Sequence, residues 1–162
     1  MRRKVSQELR REFKSRFKAE LPDFKLIKHP RLFPGFLTWA YMEEASPWFT
    51  VTLFPSQKDD EFTIEIGWSR LSRFPETYIS PPPYNLAADE ILLRLGYLTD
   101  GRDFWWRLVD EIDVLNANPM DLCYEPPIQD ALDKVSPSVD DVIQKLRLLA
   151  LPFFEKVAAY QD

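Results

Sequence analysis

The residues that most often carry covalent or acid–base catalysis are scarce in this sequence. It has one histidine, His29 in IKHPR, and one cysteine, Cys123 in DLCYEPP. A cysteine nucleophile needs a base beside it, and nothing in the sequence brings Cys123 near His29. We interpret His29 as a loop residue beside a proline turn and Cys123 as a small buried apolar residue. A zinc site would need more nitrogen and sulfur ligands than these two provide.

Acidic residues come closest to a metal-binding pattern. Asp110, Glu111 and Asp113 carry the carboxylate oxygens that hard divalent cations prefer, but no glycine-bearing calcium loop surrounds them. A nuclease strand would carry an acidic-x-Lys pair, whereas the strand-like run FTIEIGWS has Glu65 and no lysine. We therefore expect no catalytic residue, no metal and no cofactor, and the sequence favours a non-enzymatic protein.

Three adjacent aromatic rings in GRDFWWRL, residues 101–108, are the best candidates for a binding site. If Asp103 caps a helix, the apolar residues that follow it share one arc: Phe104, Trp105, Leu108, Val109, Ile112 and Leu115. Trp106 lies outside that arc, on a border shared with Asp110 and Asp113. An indole there either covers a neighbouring loop or anchors a partner, because tryptophan is enriched at interface hot spots. The predicted binding residues are Trp106, Asp110, Asp113 and Arg102.

The elements that must position these residues begin with an amphipathic helix. Its apolar residues recur every four positions: Val5, Leu9, Phe13, Phe17 and Leu21. Residues 1–20 also hold eight Lys or Arg and three Glu, a charge of +5, which leaves −10 on the rest of a chain whose total is −5. An acidic body disfavours nucleic-acid binding. We interpret the helix as packed on the core with a solvated outer face.

Strand-like runs rich in β-branched and aromatic residues follow the helix. They are FLTWAYME (36–43), PWFTVTLF (47–54) and EFTIEIGWS (61–69), preceded by a shorter run, DFKLIKH (23–29). In the third run every second residue is large and apolar, as in a strand with one buried face. The short polar loop between the last two runs suits a hairpin. We therefore predict an antiparallel meander of three to four strands.

The second half of the chain is less regular. A proline-rich excursion after Leu71 ends in PPPYN, which we interpret as a stiff loop. The next run, LAADEILLRLGYL (86–98), fits either a helix that ends at Gly96 or a buried strand, and we favour the helix. Ser136 as a cap and Pro137 in the first turn predict a final helix, kinked or restarted at Pro152.

Composition and element order together define the fold class. With 45% apolar and 14% aromatic residues, residues 1–162 are predicted to form a single domain. Its fold class is α+β, with the meander packed against the N-terminal helix and C-terminal helices. No apolar run approaches the roughly 20 residues that span a bilayer. The amino terminus lacks the apolar core of a signal peptide, and a lone cysteine fits a reducing compartment, so we expect a cytoplasmic protein without membrane contact.

One segment resembles a known family. The run LRLGYLTDGRDFWWRL carries Arg94, Gly96 and Leu98 followed by Trp105-Trp106. It is similar to the Arg-x-Gly-x-Leu and Trp-Trp pattern of a bacterial family called domain of unknown function 4304. The order of the strands and the C-terminal helix with Leu-Pro-Phe at 151–153 is similar too, whereas FTIEIGWS and the proline excursion depart from the pattern. The resemblance implies no established activity, cofactor or catalytic residue.

These features favour a non-enzymatic binding domain for a protein with a basic surface, in a bacterial immunity or regulatory role that suits the acidic body. The alternative is a small-molecule binder or enzyme with a pocket between the sheet and residues 71–98. There Arg70, Arg73, Tyr78 and Tyr84 would bind an anionic ligand. Nucleic acid is disfavoured as a partner, and the sequence leaves the oligomeric state open.

Overall fold

The computed structural model describes residues 1–27, 36–41, 48–69, 90–99, 101–110 and 126–159. These ranges form an α+β fold, as predicted. The helices are α1 (Arg3–Glu20), α2 (Gly96–Thr99), α3 (Ile128–Lys145) and α4 (Leu151–Ala159), with a π-helical turn at Leu146–Ala150. The strands are β1 (Lys25–Leu26), β2 (Leu37–Tyr41), β3 (Trp48–Pro55), β4 (Glu61–Ser69), β5 (Glu90–Arg94) and β6 (Trp106–Arg107).

Helix α1 confirms the four-residue apolar period. Val5, Leu9, Phe13 and Phe17 are all buried in it. The ring of Phe17 stacks on Trp39 of β2 at 4.0 Å between centroids, and Phe13 meets Phe62 of β4 edge to face at 5.6 Å. The apolar stripe of α1 therefore packs directly on the sheet. Burial of its large aromatic side chains stabilises this contact.

The sheet confirms the predicted antiparallel meander and extends it beyond three to four strands by adding β5 and β6. Its strand order is β1-β2-β3-β4-β5, every neighbouring pair is antiparallel, and β6 pairs with β4. Because side chains alternate along a strand, one face carries Trp39, Val51 and Ile66 toward the helices. The opposite face carries a polar row that crosses four strands in register: Thr38, Thr52, Glu65 and Arg94.

The structure overturns the helix favoured for residues 86–98, within the part it describes. Glu90–Arg94 is a strand, and only Gly96–Thr99 is helical. Pairing of β5 with β4 outweighs the local helical pattern, and Leu95 continues the pairing by donating its N–H to the Ile64 carbonyl oxygen at 2.8 Å. Gly96 is needed where the chain then turns, because a Cβ there would lie 2.6 Å from the Cβ of Phe104.

The C-terminal helix begins earlier than predicted. It starts at Ile128, so Ser136 is not its cap and Pro137 lies inside it. The helix starts earlier because Ala131 and Val135 are also buried, and they extend its apolar face by two turns toward the amino end. The predicted interruption at Pro152 takes the form of a π-helical turn that ends at Ala150, two residues before the proline. Such a turn relaxes the backbone hydrogen-bond ladder where a proline lacks its amide hydrogen.

Candidate binding cleft

Trp106 is buried in the core. The sequence predicted the reverse arrangement, with Phe104 and Trp105 on the apolar face and Trp106 outside it. Its side chain stacks on Phe62 at 5.5 Å, and its Nε1–H donates a hydrogen bond to Asp141 Oδ2 at 2.8 Å. Only 5% of Trp106 is exposed, whereas Phe104 and Trp105 are half-buried. The helix predicted from Asp103 is wrong for residues 104–110, because Trp106 and Arg107 pair with β4 instead.

The other predicted binding residues do not assemble around Trp106. Asp110 is 94% exposed, and its carboxylate binds Lys134 Nζ at 2.6 Å. Arg102 is exposed, and no contact in the described ranges joins it to Asp110. Asp113 lies outside the described residues, as do the alternative pocket residues Arg70, Arg73, Tyr78 and Tyr84. His29, Cys123 and Glu111 lie outside them too.

A cleft of about 370 Å³ lies between the carboxyl end of α1, the start of β3 and helix α4. Its floor is a continuous series of aromatic rings. Phe24 contacts Tyr41 at 5.9 Å, Tyr41 stacks on Phe49 at 6.2 Å, and Phe49 stacks on Phe154 at 4.5 Å. Leu21, Pro22 and Leu151 complete the apolar wall. We call this site the aromatic cleft.

Local structure explains why these rings meet. Helix α1 ends at Glu20, and a tight turn in which Phe24 donates its N–H to the Leu21 carbonyl oxygen leads into β1. Tyr41 and Phe49 are cross-strand partners in the pairing of β2 with β3, so they share a face. Phe154 reaches the same face from α4, after the π-helical turn.

The rim of the aromatic cleft is acidic. Glu20, Asp23 and Glu155 all line it. The Glu20 carboxylate lies between two arginines, 3.4 Å from Arg16 and 3.5 Å from Arg147. Asp23 and Glu155 are exposed and form no ion pair with another residue of the described ranges. Their charges are therefore available to a cationic group that enters the cleft.

Three of the eight basic residues in the first twenty positions form ion pairs with other described residues. Arg2 binds Asp60, Arg11 pairs with Glu8, and Arg16 pairs with Glu12, Glu20 and Asp140. A hydrogen bond to Glu12, together with the charge of Asp140, raises the pKa of the Arg16 guanidinium above its ordinary value. These pairings reduce the positive field that nucleic acid would meet at this helix.

Sequence reasoning missed the aromatic cleft because its residues come from distant parts of the chain. Glu20 and Asp23 flank the end of α1, while Leu151 and Glu155 belong to α4. One signal was available: Tyr41 and Phe49 stand at the end and start of successive predicted strands, where an antiparallel hairpin makes them neighbours. The contribution of α4 required the tertiary structure.

Comparison with known proteins found no matching family model, no similar characterised protein and no similar solved structure. The resemblance based on Arg94, Gly96 and the tryptophan pair therefore stays a prediction. Within the ranges that the structure describes, no helix is long and apolar enough to cross a membrane. The same ranges contain no group of three His, Cys, Asp or Glu side chains able to hold a metal ion.

Proposed function

We propose that this chain is a binding domain for a protein with a basic surface, and that the aromatic cleft receives the partner. An immunity or regulatory protein that neutralises a basic partner would have this arrangement, and the proposed location is the cytoplasm. The observation that supports the proposal is the combination of an apolar floor with the free carboxylates of Asp23 and Glu155 at its rim.

The size and lining of the cleft favour a side chain from a partner protein. A volume of about 370 Å³ is near the lower end for small-molecule sites, which span roughly 300–1,000 Å³. The walls are mainly aromatic and aliphatic, and the polar groups stand at the rim. This arrangement suits an apolar side chain inserted at the centre of an interface, surrounded by polar contacts.

Charge determines which partner would bind. The chain outside α1 carries an excess of acidic residues, and the cleft rim adds Glu20, Asp23 and Glu155. Lys25, two residues after Asp23, donates its Nζ hydrogen to the Pro22 carbonyl oxygen at 2.6 Å. A partner segment with Lys or Arg beside an apolar residue complements this rim, and the long-range attraction speeds association.

Fluorescence anisotropy with a short labelled helical peptide of leucine and lysine tests the proposal. The paired variant is Asp23→Lys with Glu155→Lys. The control is Asp103→Lys with Asp133→Lys, which changes the net charge equally at exposed positions away from the cleft. We expect the paired variant to weaken binding about tenfold, or about 1.4 kcal/mol, and the control to change it less than about twofold.

Two results would contradict this function. The first is that the wild-type protein fails to bind the leucine–lysine peptide. The second is that the cleft variant and the control variant lose affinity equally, which would mean that only net charge matters. A peptide with glutamate in place of lysine should not bind, because the rim would repel it.

A further inference from the structure

Strand β4 supplies the glutamates of two Glu–Arg pairs on the face of the sheet that carries the polar row, and the two pairs differ in their surroundings. Glu61 pairs with Arg107 of β6 at 3.5 Å, and the Arg107 side chain is 49% exposed. Glu65 is the register partner of Arg94 of β5, with 3.9 Å between Arg94 Nε and Glu65 Oε2. In this pair the side chain of Arg94 is only 27% exposed and that of Glu65 only 12%. The second pair is therefore a partly buried charged site.

The Arg94 guanidinium lies beside two aromatic rings. Its central carbon is 4.7 Å from the ring centre of Phe54 and 5.8 Å from that of Trp105. Phe36 extends the apolar surroundings by contacting Phe54 at 4.4 Å. Aromatic faces attract a guanidinium, so these contacts stabilise the positive charge of Arg94 at this part of the sheet. They do not provide any hydrogen-bond acceptor for its N–H groups.

One nitrogen of Arg94 has no acceptor. Nη1 is buried and makes no hydrogen bond within the described part of the chain. The distance from Nε to Glu65 exceeds hydrogen-bonding range, so no described hydrogen bond fixes the guanidinium. A buried donor without an acceptor destabilises a protein, more so when it is charged. Such an atom in a native structure requires an explanation, and a bound ligand supplies one.

We propose that Arg94 binds the carboxylate of a small, singly charged ligand with an apolar body. The planar guanidinium matches a carboxylate through two parallel N–H···O bonds, and a side-chain rotation that no described hydrogen bond opposes would present Nη1 to it. Phe54 and Trp105 suit the apolar part of the ligand. The negative charge of Glu65 repels any anion, and it repels one of higher charge, such as inorganic phosphate, more strongly than a singly charged carboxylate.

This site is independent of the aromatic cleft. Arg94 belongs to the polar row with Thr38, Thr52 and Glu65, whereas Tyr41 and Phe49 of the cleft lie on the opposite face. The Thr38 and Thr52 hydroxyls share a hydrogen bond at 3.0 Å and add polar groups along the row. The chain could therefore bind a small molecule on one face of the sheet and a partner protein beside the other.

A nitrogen–proton NMR titration with sodium benzoate at constant ionic strength tests the site. Benzoate is a small aromatic carboxylate, for which we expect a Kd on the order of 1 mM. The largest shifts should fall on the Arg94 Nε–H and the Trp105 indole N–H. Arg94→Lys keeps the charge but removes the planar guanidinium, so it should weaken binding about tenfold. Arg107→Lys, at the corresponding pair on the same strand, should leave the Kd within about twofold.

The titration has results that would overturn the proposal. They are the absence of saturable shifts in the wild-type protein, shifts confined to other residues, or equal binding by Arg94→Lys. Inorganic phosphate that bound as well as benzoate would also overturn it. If Arg94→Lys fails to fold, the pattern of shifts in the wild-type protein still decides the outcome.

Discussion

The indole N–H of Trp106 donates a hydrogen bond to Asp141 Oδ2 at 2.8 Å, and this bond ties the two-residue strand β6 to helix α3. Asp141 also pairs with Lys145 one turn further along the helix. Trp106 thereby joins the edge of the sheet to the helical layer. An aromatic residue in this position stabilises the fold and is not available to anchor a partner.

Trp106→Phe tests this structural role. Phenylalanine keeps an aromatic ring against Phe62 but removes the donor to Asp141, so the free energy of unfolding should fall by about 1–2 kcal/mol. Urea denaturation measures the loss. Trp105→Phe is the matched control and should cost less, because Trp105 is half-buried and makes no described hydrogen bond. Equal losses in the two variants would contradict a special role for Trp106, and peptide binding should persist in both.

The Arg2–Asp60 pair provides a second stability prediction. Asp60 is buried, accepts the backbone N–H of Arg2 at 2.7 Å, and binds the Arg2 guanidinium. Asp60→Ala would remove a buried carboxylate that binds both the backbone N–H and the guanidinium of Arg2, and we expect a loss of about 3 kcal/mol in thermal or urea unfolding. The control is Asp59→Ala, at the exposed neighbouring position, which should change stability by less than about 0.5 kcal/mol. A loss below about 1 kcal/mol for Asp60→Ala would show that this pair contributes little.

Two glycines should respond differently to alanine. At Gly96 the new Cβ would meet the Arg102 carbonyl oxygen and the Phe104 Cβ at 2.6 Å, so the backbone must move. At Gly101 no atom of the described residues lies within 4 Å of a new Cβ, and the cost comes from the positive φ of 68°. We expect about 3 kcal/mol for Gly96→Ala and about 1 kcal/mol for Gly101→Ala in urea denaturation. The reverse order would contradict the close packing at Gly96.

The apolar wall of the aromatic cleft can be tested without changing charge. Leu151 lines the cleft and is half-buried, whereas Leu148, one turn earlier, is 64% exposed and outside it. Leu151→Ser should weaken binding of the leucine–lysine peptide about fivefold, because it removes apolar contact area. Leu148→Ser should not change the affinity measured by anisotropy. Equal effects of the two substitutions would place the peptide elsewhere on the helix.

Salt dependence separates the two contributions to peptide binding. Attraction between the rim carboxylates and the lysines of the peptide is screened at high ionic strength, while apolar contact is not. Raising salt should therefore weaken binding to the wild-type protein and have less effect on the Asp23→Lys, Glu155→Lys variant. Anisotropy titrations at several salt concentrations measure both slopes. Identical slopes would contradict a role for the rim charges.

The elements that were predicted correctly are those whose pattern is local. Val5, Leu9, Phe13 and Phe17 repeat every four residues, and a helix converts that spacing directly into a buried face. The alternation in EFTIEIGWS likewise fixes both the strand and its register, since a shift by one residue would expose Ile64 and Ile66. In these segments one geometry alone buries the apolar residues.

The sequence by itself thus determined the fold class, helix α1 and the antiparallel meander, because periodicity within one segment is enough to define them. Only the tertiary structure decided that Glu90–Arg94 is a strand and that Trp106 is buried, because both depend on pairing with β4. It also decided the aromatic cleft, which both Asp23 and Glu155 line although more than a hundred residues separate them in the chain. Their proximity follows from how α1 and α4 pack on one face of the sheet, which no local pattern encodes.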